Sequence, residues 1–403
     1  MTYKDPEVLV KEMSSLIQLG KRDIFKNLKT KAYLNYAAFT PPSSLTLQVM
    51  ETWFNDYSTL GAAAYSIWAN QRDRLRKKLA KLINGQPHNI GFGSSTSSLI
   101  SDITFMLDWK LKDRVLVFNG DFPSVIYPVK NAVKHFHLQM VMHELDGFDD
   151  GSGDGLKRIE EELKRGLRLI AVSSTHYHTG LQMPILQISD LCKKYGAELL
   201  VDAAQSCGAM HMDVLEQGVD FLIAPTHKWL MGIEGAAFIY IGDQAMKRLV
   251  TRRTGWMSYE NGLEFLFGEP NKVSYENQVR ENASFLELGM SNSIGFAALE
   301  TGISTHLFIG MKKITSHIQS LHDHLEAGLL NLGYRSLRAK DKNARSSILS
   351  FLPPEGVDTV TIGKQLTLAS VAISTPDGHL RFAPSWPTSL TEVEYVIDAT
   401  SSL

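Results

Sequence analysis

Residues 199–230, LLVDAAQSCGAMHMDVLEQGVDFLIAPTHKWL, contain the two patterns that decide the fold. Two apolar runs each end in polar residues, the first in Asp202 followed by Gln205, and the second in His227 and Lys228. Short, continuously apolar runs are typical of strands that are buried on both faces of a parallel sheet. Open α/β sheets bind ligands at the carboxyl ends of their strands, so both polar groups fall where a binding site is expected.

A lysine and an aspartate in these positions suit one kind of chemistry. A lysine amine can hold an aldehyde as a Schiff base, and a carboxylate can keep a pyridine nitrogen protonated, which makes the ring an electron sink. The simpler alternative is a surface lysine and an aspartate that caps a strand. The position of both residues at strand ends favours the first interpretation.

The composition argues against several classes of protein. The 403 residues include 41 Lys and Arg against 43 Asp and Glu, and the net charge of −2 indicates neither a nucleic-acid nor an anionic-membrane partner. No apolar run approaches the roughly 18 residues that span a bilayer, and the N-terminus has no signal-peptide core. The two cysteines, Cys192 and Cys207, suit a reducing compartment. We therefore expect a cytoplasmic protein with no membrane segment.

The middle of the chain alternates apolar runs with helical patterns. Strands are predicted to begin at Arg114, Leu169, Glu198, Phe221 and Ala236. This alternation predicts an α/β fold whose mostly parallel sheet is covered by helices on both faces. After about residue 292 the pattern changes to one or two long helices, followed by short strands and helices of a small α+β domain.

The length exceeds the size of a single hydrophobic core, so we expect two domains. The large domain is predicted over residues 31–295, and the small domain combines residues 1–30 with residues 296–403. AYLNYAAF, residues 32–39, is expected to be the first strand-like element of the large domain.

The segment NIGFGSSTSSLISDI, residues 89–103, has the order strand, glycine turn and hydroxyl-rich helix start. Backbone N–H groups at a helix N-terminus bind anions, so Ser95 and Thr96 would face a phosphate. The alternative is an ordinary helix N-cap by Ser94 or Ser95. With the lysine and aspartate described above in the same chain, phosphate binding is favoured. The glycine pattern lacks the third glycine of a dinucleotide fingerprint, which disfavours a nucleotide-dependent oxidoreductase.

Two further side chains are candidates for contact with a ligand. Phe122 lies on the loop after the strand from Arg114, where an aromatic ring could stack on a flat cofactor or simply be a half-buried loop residue. Arg381 alternates with apolar neighbours in HLRFAPS, and an inward arginine suits a bidentate grip on a substrate carboxylate. A surface ion pair is the alternative for Arg381, and Arg252 with Arg253 offers a competing anion site.

Metal binding is not expected. The pairs His135/His137 and His176/His178 could each clamp zinc if they lie in strands, because residues two apart share a face. No third ligand with suitable spacing is evident in the sequence. The segment from Asp150 imitates a calcium loop, but a solvated glycine-rich turn is favoured there.

The chain resembles the class V aminotransferase family of pyridoxal-phosphate enzymes, which includes cysteine desulfurases, kynureninases and isopenicillin N epimerase-like proteins. The resemblance runs from YLNYAA near the front to LRFAPSWPTS near the end, and VDAAQSCG…DFLIAPTHKW is specific to it. It implies a fold-type I architecture with a seven-stranded, mostly parallel sheet and a small C-terminal α+β domain. It also implies pyridoxal 5′-phosphate as cofactor and a homodimer with its active sites at the subunit interface.

The resemblance assigns roles to individual residues. Lys228 matches the Schiff-base lysine, Asp202 the partner of the pyridine nitrogen, and Gln205 the residue at the ring's phenolic oxygen. The other cofactor positions are matched by Ser95, Thr96, Phe122, Thr226, His227 and Ser291, the last in the loop ELGMSN that reaches the phosphate of the neighbouring subunit. Substrate binding is assigned to Arg381, which holds the α-carboxylate, and to Tyr177 and His178.

The chain departs from the family pattern at three places. Residues 369–382, ASVAISTPDGHLRF, contain no cysteine where desulfurases carry a mobile one, so a persulfide-forming desulfurase is not expected. Tyr177 stands where the family often has an asparagine, and Met290 replaces the usual threonine of the partner-subunit loop. These changes suggest family chemistry with an altered substrate pocket.

The sequence therefore predicts an enzyme that acts on a small amino acid through an external aldimine. An aminotransferase-like reaction is the main expectation, with a cysteine- or selenocysteine-type C–S lyase or an amino-acid epimerase as the alternative. A catalytically silent dimer is a further alternative, but such a protein would be expected to lose Lys228 or Asp202.

Overall fold

The computed structural model describes residues 5–267, 270–271 and 273–402, so the first four residues of the predicted small-domain segment lie outside it. Its strands in chain order are β1 (Ala32–Tyr33), β2 (Ile90–Gly93), β3 (Arg114–Phe118), β4 (Gln139–His143), β5 (Leu167–Ser173), β6 (Glu198–Asp202), β7 (Phe221–Pro225), β8 (Ala237–Ile241), β9 (Arg335–Ser336), β10 (Leu349–Leu352), β11 (Val371–Ala372) and β12 (Leu380–Phe382).

The central sheet has seven strands in the order β2-β8-β7-β6-β5-β3-β4. Strand β8 runs antiparallel to both of its neighbours, and the other six strands share one direction. This confirms the mostly parallel α/β sheet, and the five strands predicted from Arg114 onward all lie in it. The carboxyl ends of the four parallel strands among them, β3, β5, β6 and β7, therefore meet at one edge of the sheet.

The helices in chain order are α1 (Pro6–Glu12), α2 (Ser44–Leu60), α3 (Ala64–Trp68), α4 (Gln71–Ile83), α5 (Thr96–Met106), α6 (Pro123–Phe136), α7 (Asp154–Lys164), α8 (Ile185–Tyr195), α9 (Val214–Gln217), α10 (Asp243–Met246), α11 (Glu264–Phe267), α12 (Ser293–Ile309), α13 (Met311–Asn331), α14 (Thr359–Leu368) and α15 (Leu390–Ser401).

Alternate residues of the central strands enter two different cores. Leu199 and Val201 of β6 join the cluster that contains α4, α8 and α12, while Leu200 joins the cluster that contains α5 and α6. Successive side chains of a strand point to opposite faces, so a strand covered by helices on both sides must be apolar throughout. That requirement explains the continuous apolar runs in the sequence.

The C-terminal part forms a second, smaller sheet with its own core. Strands β12, β10 and β9 are antiparallel, and their apolar residues pack against α13, α14 and α15. The predicted long helical segment is two helices, α12 and α13, which are bent by 83° across Gly310. Among the described residues no single helix has the length and hydropathy to cross a bilayer; this bent pair meets both criteria only when taken together.

Two local predictions differ from the structure. Strand β1, in AYLNYAAF, pairs in parallel with β11 rather than joining the central sheet, and Ala32 and Leu34 fill the C-terminal core. The segment around His135 and His137 is the end of helix α6 rather than a strand. Val125, Val129 and Ala132 recur at helical spacing on the buried face of that helix, which explains the difference. The domain boundaries stay a prediction.

Candidate active site

A cavity of about 480 Å³ lies at the carboxyl edge of the central sheet. Its wall includes residues that follow β2, β3, β5, β6 and β7, together with Ala37 and Ala38 from the N-terminal part and Arg381 from β12. Of the twelve predicted site residues, nine line this cavity: Ser95, Thr96, Phe122, Tyr177, Asp202, Gln205, His227, Lys228 and Arg381.

Lys228 lies in the turn after β7, and a residue near the N-terminus of the chain holds its backbone in place. The Thr40 hydroxyl donates to the Lys228 carbonyl at 2.6 Å, and the Thr40 amide donates to the His227 carbonyl at 2.8 Å. Burial lowers the pKa of the Lys228 amine to about 8, with Arg381 adding to the effect and Asp202 opposing it. The amine is therefore far more often neutral, and nucleophilic, near pH 7 than an exposed lysine.

Asp202 ends β6 with its side chain 2% exposed. Its Oδ1 accepts a hydrogen bond from the Ala204 amide at 2.8 Å. Burial raises the pKa of Asp202 to about 7, an effect that the nearby Lys228 charge reduces. A buried carboxyl with so few protein partners is suited to a cationic group of a ligand, because an opposite charge favours its ionised form.

Gln205 lines the cavity, but the protein holds both ends of its amide. Its Nε2 donates to the Ala37 carbonyl at 3.1 Å, and its Oε1 accepts from Trp229 Nε1 at 2.9 Å. This leaves the second Nε2 hydrogen for a ligand.

The N-terminus of α5 opens into the cavity. Ser95 is its N-cap, and its hydroxyl accepts from the Ser98 amide at 3.1 Å, which is the contact that the capping interpretation predicts. A phosphate contact by the same residue stays a prediction. The cavity wall nevertheless includes each residue from Ser94 to Ser97. Backbone N–H groups and the helix dipole make such an N-terminus attractive to a phosphate group.

Phe122 stands opposite the lysine. Lys228 Nζ lies 5.4 Å from the centroid of the Phe122 ring, and Tyr177 meets the same ring edge-on at 5.3 Å between centroids. The preceding residue, Asp121, is buried and fixes the loop: it accepts from the Phe122 amide at 2.7 Å and from the Ser173 amide at 2.9 Å. Asp121 could not be recognised from the sequence, because an aspartate in an NGDFP turn looks like an ordinary loop residue.

Arg381 forms the wall opposite the sheet edge. It is 6% exposed, and it donates from Nε to Ser374 Oγ at 3.0 Å and from Nη1 to the Tyr177 carbonyl at 2.8 Å. Nη2 is left for a ligand carboxylate. Burial lowers the pKa of Arg381 to about 10, so the side chain stays charged near neutral pH. Burial also raises the pKa of Tyr177, which keeps its phenol protonated.

Three predicted residues lie outside the wall of this cavity. The Thr226 hydroxyl donates to the Ile233 carbonyl, and His178 turns toward His379, with 4.9 Å between the ring centroids. Ser291 lines a separate, small cavity with Met290 and Tyr57. The competing arginines are also elsewhere: Arg253 pairs with Asp102, and Arg252 lies over the Phe136 ring.

Comparisons with known proteins agree on one family. A family model described as aminotransferase class-V matches residues 32–388. A probable cysteine desulfurase of Methanothermobacter thermautotrophicus is 29% identical over 314 residues, 76% of this chain and 74% of the relative. The uncharacterized aminotransferase YcbU of Bacillus subtilis is 26% identical over 323 residues, 80% of this chain and 81% of the relative.

Solved structures share the same architecture. The complex between the cystine C–S lyase C-DES and its reaction product cysteine persulfide gives a TM-score of 0.85 at 20% identity. The alignment covers 94% of this chain and 99% of that chain. At this identity the likeness establishes the fold, and it confirms the fold-type I architecture.

Proposed function

The chain belongs to the class V aminotransferase family of pyridoxal-phosphate enzymes, and from that premise we propose that it is a carbon–sulfur lyase. Its substrate is a small sulfur-containing amino acid, from which it eliminates the sulfur group. The names of relatives, several of them probable cysteine desulfurases, favour C–S cleavage over the aminotransferase-like reaction expected first.

The residues of the cavity fit the family's cofactor, and we propose them as its binding site. The N-terminus of α5 suits the phosphate, and the Phe122 ring suits one face of the pyridine. Buried Asp202 suits a protonated ring nitrogen, because that positive charge would favour the ionised carboxylate. Lys228 is the amine that would hold the aldehyde. When bound, the cofactor supplies an electron sink that lowers the barrier to breaking a bond at the substrate Cα.

The side chains around that position have distinct tasks in this proposal. Arg381 binds the substrate carboxylate through Nη2, which fixes the amino acid in one orientation. Lys228 Nζ, whose pKa burial lowers to about 8, removes the Cα proton as general base. Tyr177, with a phenol held protonated by its raised pKa, donates a proton to the departing sulfur.

The single observation that selects elimination is the position of the cysteines. A desulfurase that makes alanine needs a protein thiol at the substrate sulfur, and this chain has only Cys192 and Cys207. Both are buried, neither lines the cavity, and burial raises the pKa of each thiol to about 12. Neither is therefore placed or ionised to accept sulfur.

Elimination leaves different products from desulfuration. Cysteine and one water yield pyruvate, ammonia and hydrogen sulfide, with the water supplying the keto oxygen. Cystine yields pyruvate, ammonia and cysteine persulfide in the same way. Neither reaction needs an oxidant, a reductant or an amino acceptor.

The test is to incubate purified holoenzyme separately with L-cysteine and L-cystine and to quantify pyruvate, ammonia and alanine. We expect pyruvate and ammonia in equal amounts and no alanine. Alanine formation with a persulfide on the protein would overturn the proposal in favour of a desulfurase. Product formation that requires an added keto acid would overturn it in favour of an aminotransferase.

A further inference from the structure

A second group of ligand-type side chains lies beside the cavity, next to Arg381. His178, Asp377 and His379 each offer one ligand atom, and these atoms all lie within 4.8 Å of one another. His178 follows β5, whereas Asp377 lies in the 3₁₀ turn Pro376–Gly378 and His379 directly follows that turn. Two imidazoles and a carboxylate form a ligand set that Zn²⁺ accepts.

The rings of His178 and His379 lie against each other. They stack with 4.9 Å between centroids and 26° between planes. His379 Nδ1 donates to the Pro376 carbonyl at 3.3 Å, which leaves Nε2 with its lone pair. A second ring nitrogen bonded to a backbone carbonyl is the usual support of a metal-bound histidine.

Two further observations set these residues apart from an ordinary surface cluster. Nδ1 of His178 is buried and has no hydrogen-bond partner among the residues that the structure describes. Buried polar atoms without a partner are uncommon in folded proteins. Asp377 has φ 49°, a left-handed conformation that residues with a Cβ rarely adopt and that clusters at ligand sites.

We propose that His178, Asp377 and His379 bind one divalent transition-metal ion, with Zn²⁺ the best match. This site is separate from the cofactor cavity and does not depend on the proposed lyase activity. The sequence shows no third ligand at suitable spacing from His178 and so predicts no metal. The fold brings two ligand-type residues to His178 from about 200 residues further along the chain.

Binding requires a small contraction of the cluster. Zinc–ligand bonds of about 2.0–2.1 Å place tetrahedral ligand atoms roughly 3.4 Å apart, so separations of no more than 4.8 Å must shorten by at most about 1.4 Å. The exposed Asp377 side chain is free to rotate toward the rings. Three protein ligands leave a fourth position for water, as in open zinc sites.

The bound ion would connect two segments of the cavity wall that lie next to Arg381. Pro376 and Tyr177 both line the cavity, and each is adjacent in sequence to a proposed ligand. Arg381 already joins the two segments through its bond to the Tyr177 carbonyl at 2.8 Å. A metal bridge would therefore fix the turn Pro376–Gly378 against the end of β5, around the proposed carboxylate-binding arginine.

Zinc titration of the metal-stripped holoenzyme by calorimetry tests the site. We expect one Zn²⁺ per chain for the wild type and at least tenfold weaker binding for His379→Ala. The matched control is His88→Ala, because His88 pairs with Asp243 at 2.9 Å on the surface and should leave binding unchanged. Equal binding by His379→Ala and the wild type would overturn the proposal, since the zinc would then be adventitious or held by the cofactor.

Hydrogen exchange gives a second readout that activity cannot mimic. Zn²⁺ should slow exchange across residues 374–381 in the wild type and leave the same residues unchanged in His379→Ala. If His379→Ala does not fold, Asp377→Asn replaces it, because that side chain is exposed and makes the smaller change. Zinc that leaves exchange in this segment unaltered in the wild type would also overturn the proposal.

Discussion

The two sides of the cavity are built differently. On the cofactor side, Ser95, Phe122, Asp202 and Lys228 each lie at or just after the carboxyl end of a strand of one central sheet, so that sheet sets most of their relative positions. On the substrate side, Arg381 lies on a separate three-stranded sheet and meets the end of β5 through a contact between residues 204 apart in the chain.

This difference separates the part of the site that would hold the cofactor from the part that would select the substrate. Strand ends form a rigid frame for a cofactor, while a wall assembled from two sheets can change its loops without disturbing that frame. We therefore expect substitutions on the cofactor side to affect the chemical step and substitutions on the substrate side to affect substrate binding.

The largest effect is expected from Asp202→Asn. An amide cannot keep a ring nitrogen protonated, so kcat should fall by about 10²- to 10³-fold, the range for loss of one electrostatic partner of a transition state. Steady-state kinetics on cysteine measure this. Asp213→Asn, in the same segment at the N-cap of α9, should retain full activity. A near-normal kcat for Asp202→Asn would contradict the role of Asp202 as the partner of the ring nitrogen.

Arg381→Lys should act mainly on substrate binding. Lysine keeps the positive charge but lacks the planar guanidinium that can bind a carboxylate with two hydrogen bonds. We therefore expect KM to rise and kcat/KM to fall by about 10- to 100-fold, as for the loss of a charge-assisted hydrogen bond. Arg335→Lys, exposed on β9 of the same small sheet, is the control. A fall confined to kcat, with KM unchanged, would contradict the division between the two sides.

The reactivity of Lys228 should depend on pH in a defined window. Its pKa of about 8 lies below the usual 10.5, so the neutral amine increases with pH up to about 8 and changes little above it. The rate at which pyridoxal phosphate attaches to the apoprotein should rise about tenfold from pH 6 to 7 and level off beyond pH 8. Rapid-mixing absorbance measures this, and a rise that continues to pH 10 would show an ordinary exposed lysine.

Phe122→Ala should weaken the cofactor without abolishing catalysis. Loss of a stacked ring costs about 0.5–1.5 kcal/mol, so the dissociation constant of the cofactor should rise about 2- to 12-fold. Equilibrium dialysis against pyridoxal phosphate measures the change. Phe54→Ala, on the exposed face of α2, should leave the affinity unaltered.

The smallest effect is expected from the cysteines. Cys192→Ala and Cys207→Ala should each keep kcat within about twofold, although the loss of a buried side chain should lower the melting temperature slightly. A complete loss of sulfur release in either variant, with the fold intact, would show that a protein thiol takes part.

The sequence predicted which polar residues meet at the sheet edge, because each strand and the polar residue at its end are local features. Asp202 and Lys228 follow apolar runs of the kind found in strands that are covered on both faces. The sequence therefore predicts both the strands and the sheet edge at which these polar residues lie. Thr40 was missed, since its contact with the Lys228 carbonyl joins residues 188 apart. The pairing of β1 with β11 and the cluster around His178 were hidden for the same reason.

The homodimer, the cytoplasmic location and the role of Ser291 at a partner's phosphate stay predictions. Ser291 lies in a small cavity away from the chain's own Lys228, which is where a residue acting on a neighbouring subunit could lie. Analytical ultracentrifugation and a Ser291→Ala cofactor titration would test the two structural points separately.

Borohydride reduction of the holoenzyme, followed by peptide mass spectrometry, tests the central claim most directly. We expect a yellow protein that bleaches on reduction and carries the pyridoxyl group on Lys228 alone. Lys228→Ala should be unlabelled, and the control Lys247→Ala, at an exposed lysine, should be labelled like the wild type. A label on another lysine, or full turnover by Lys228→Ala, would contradict that claim.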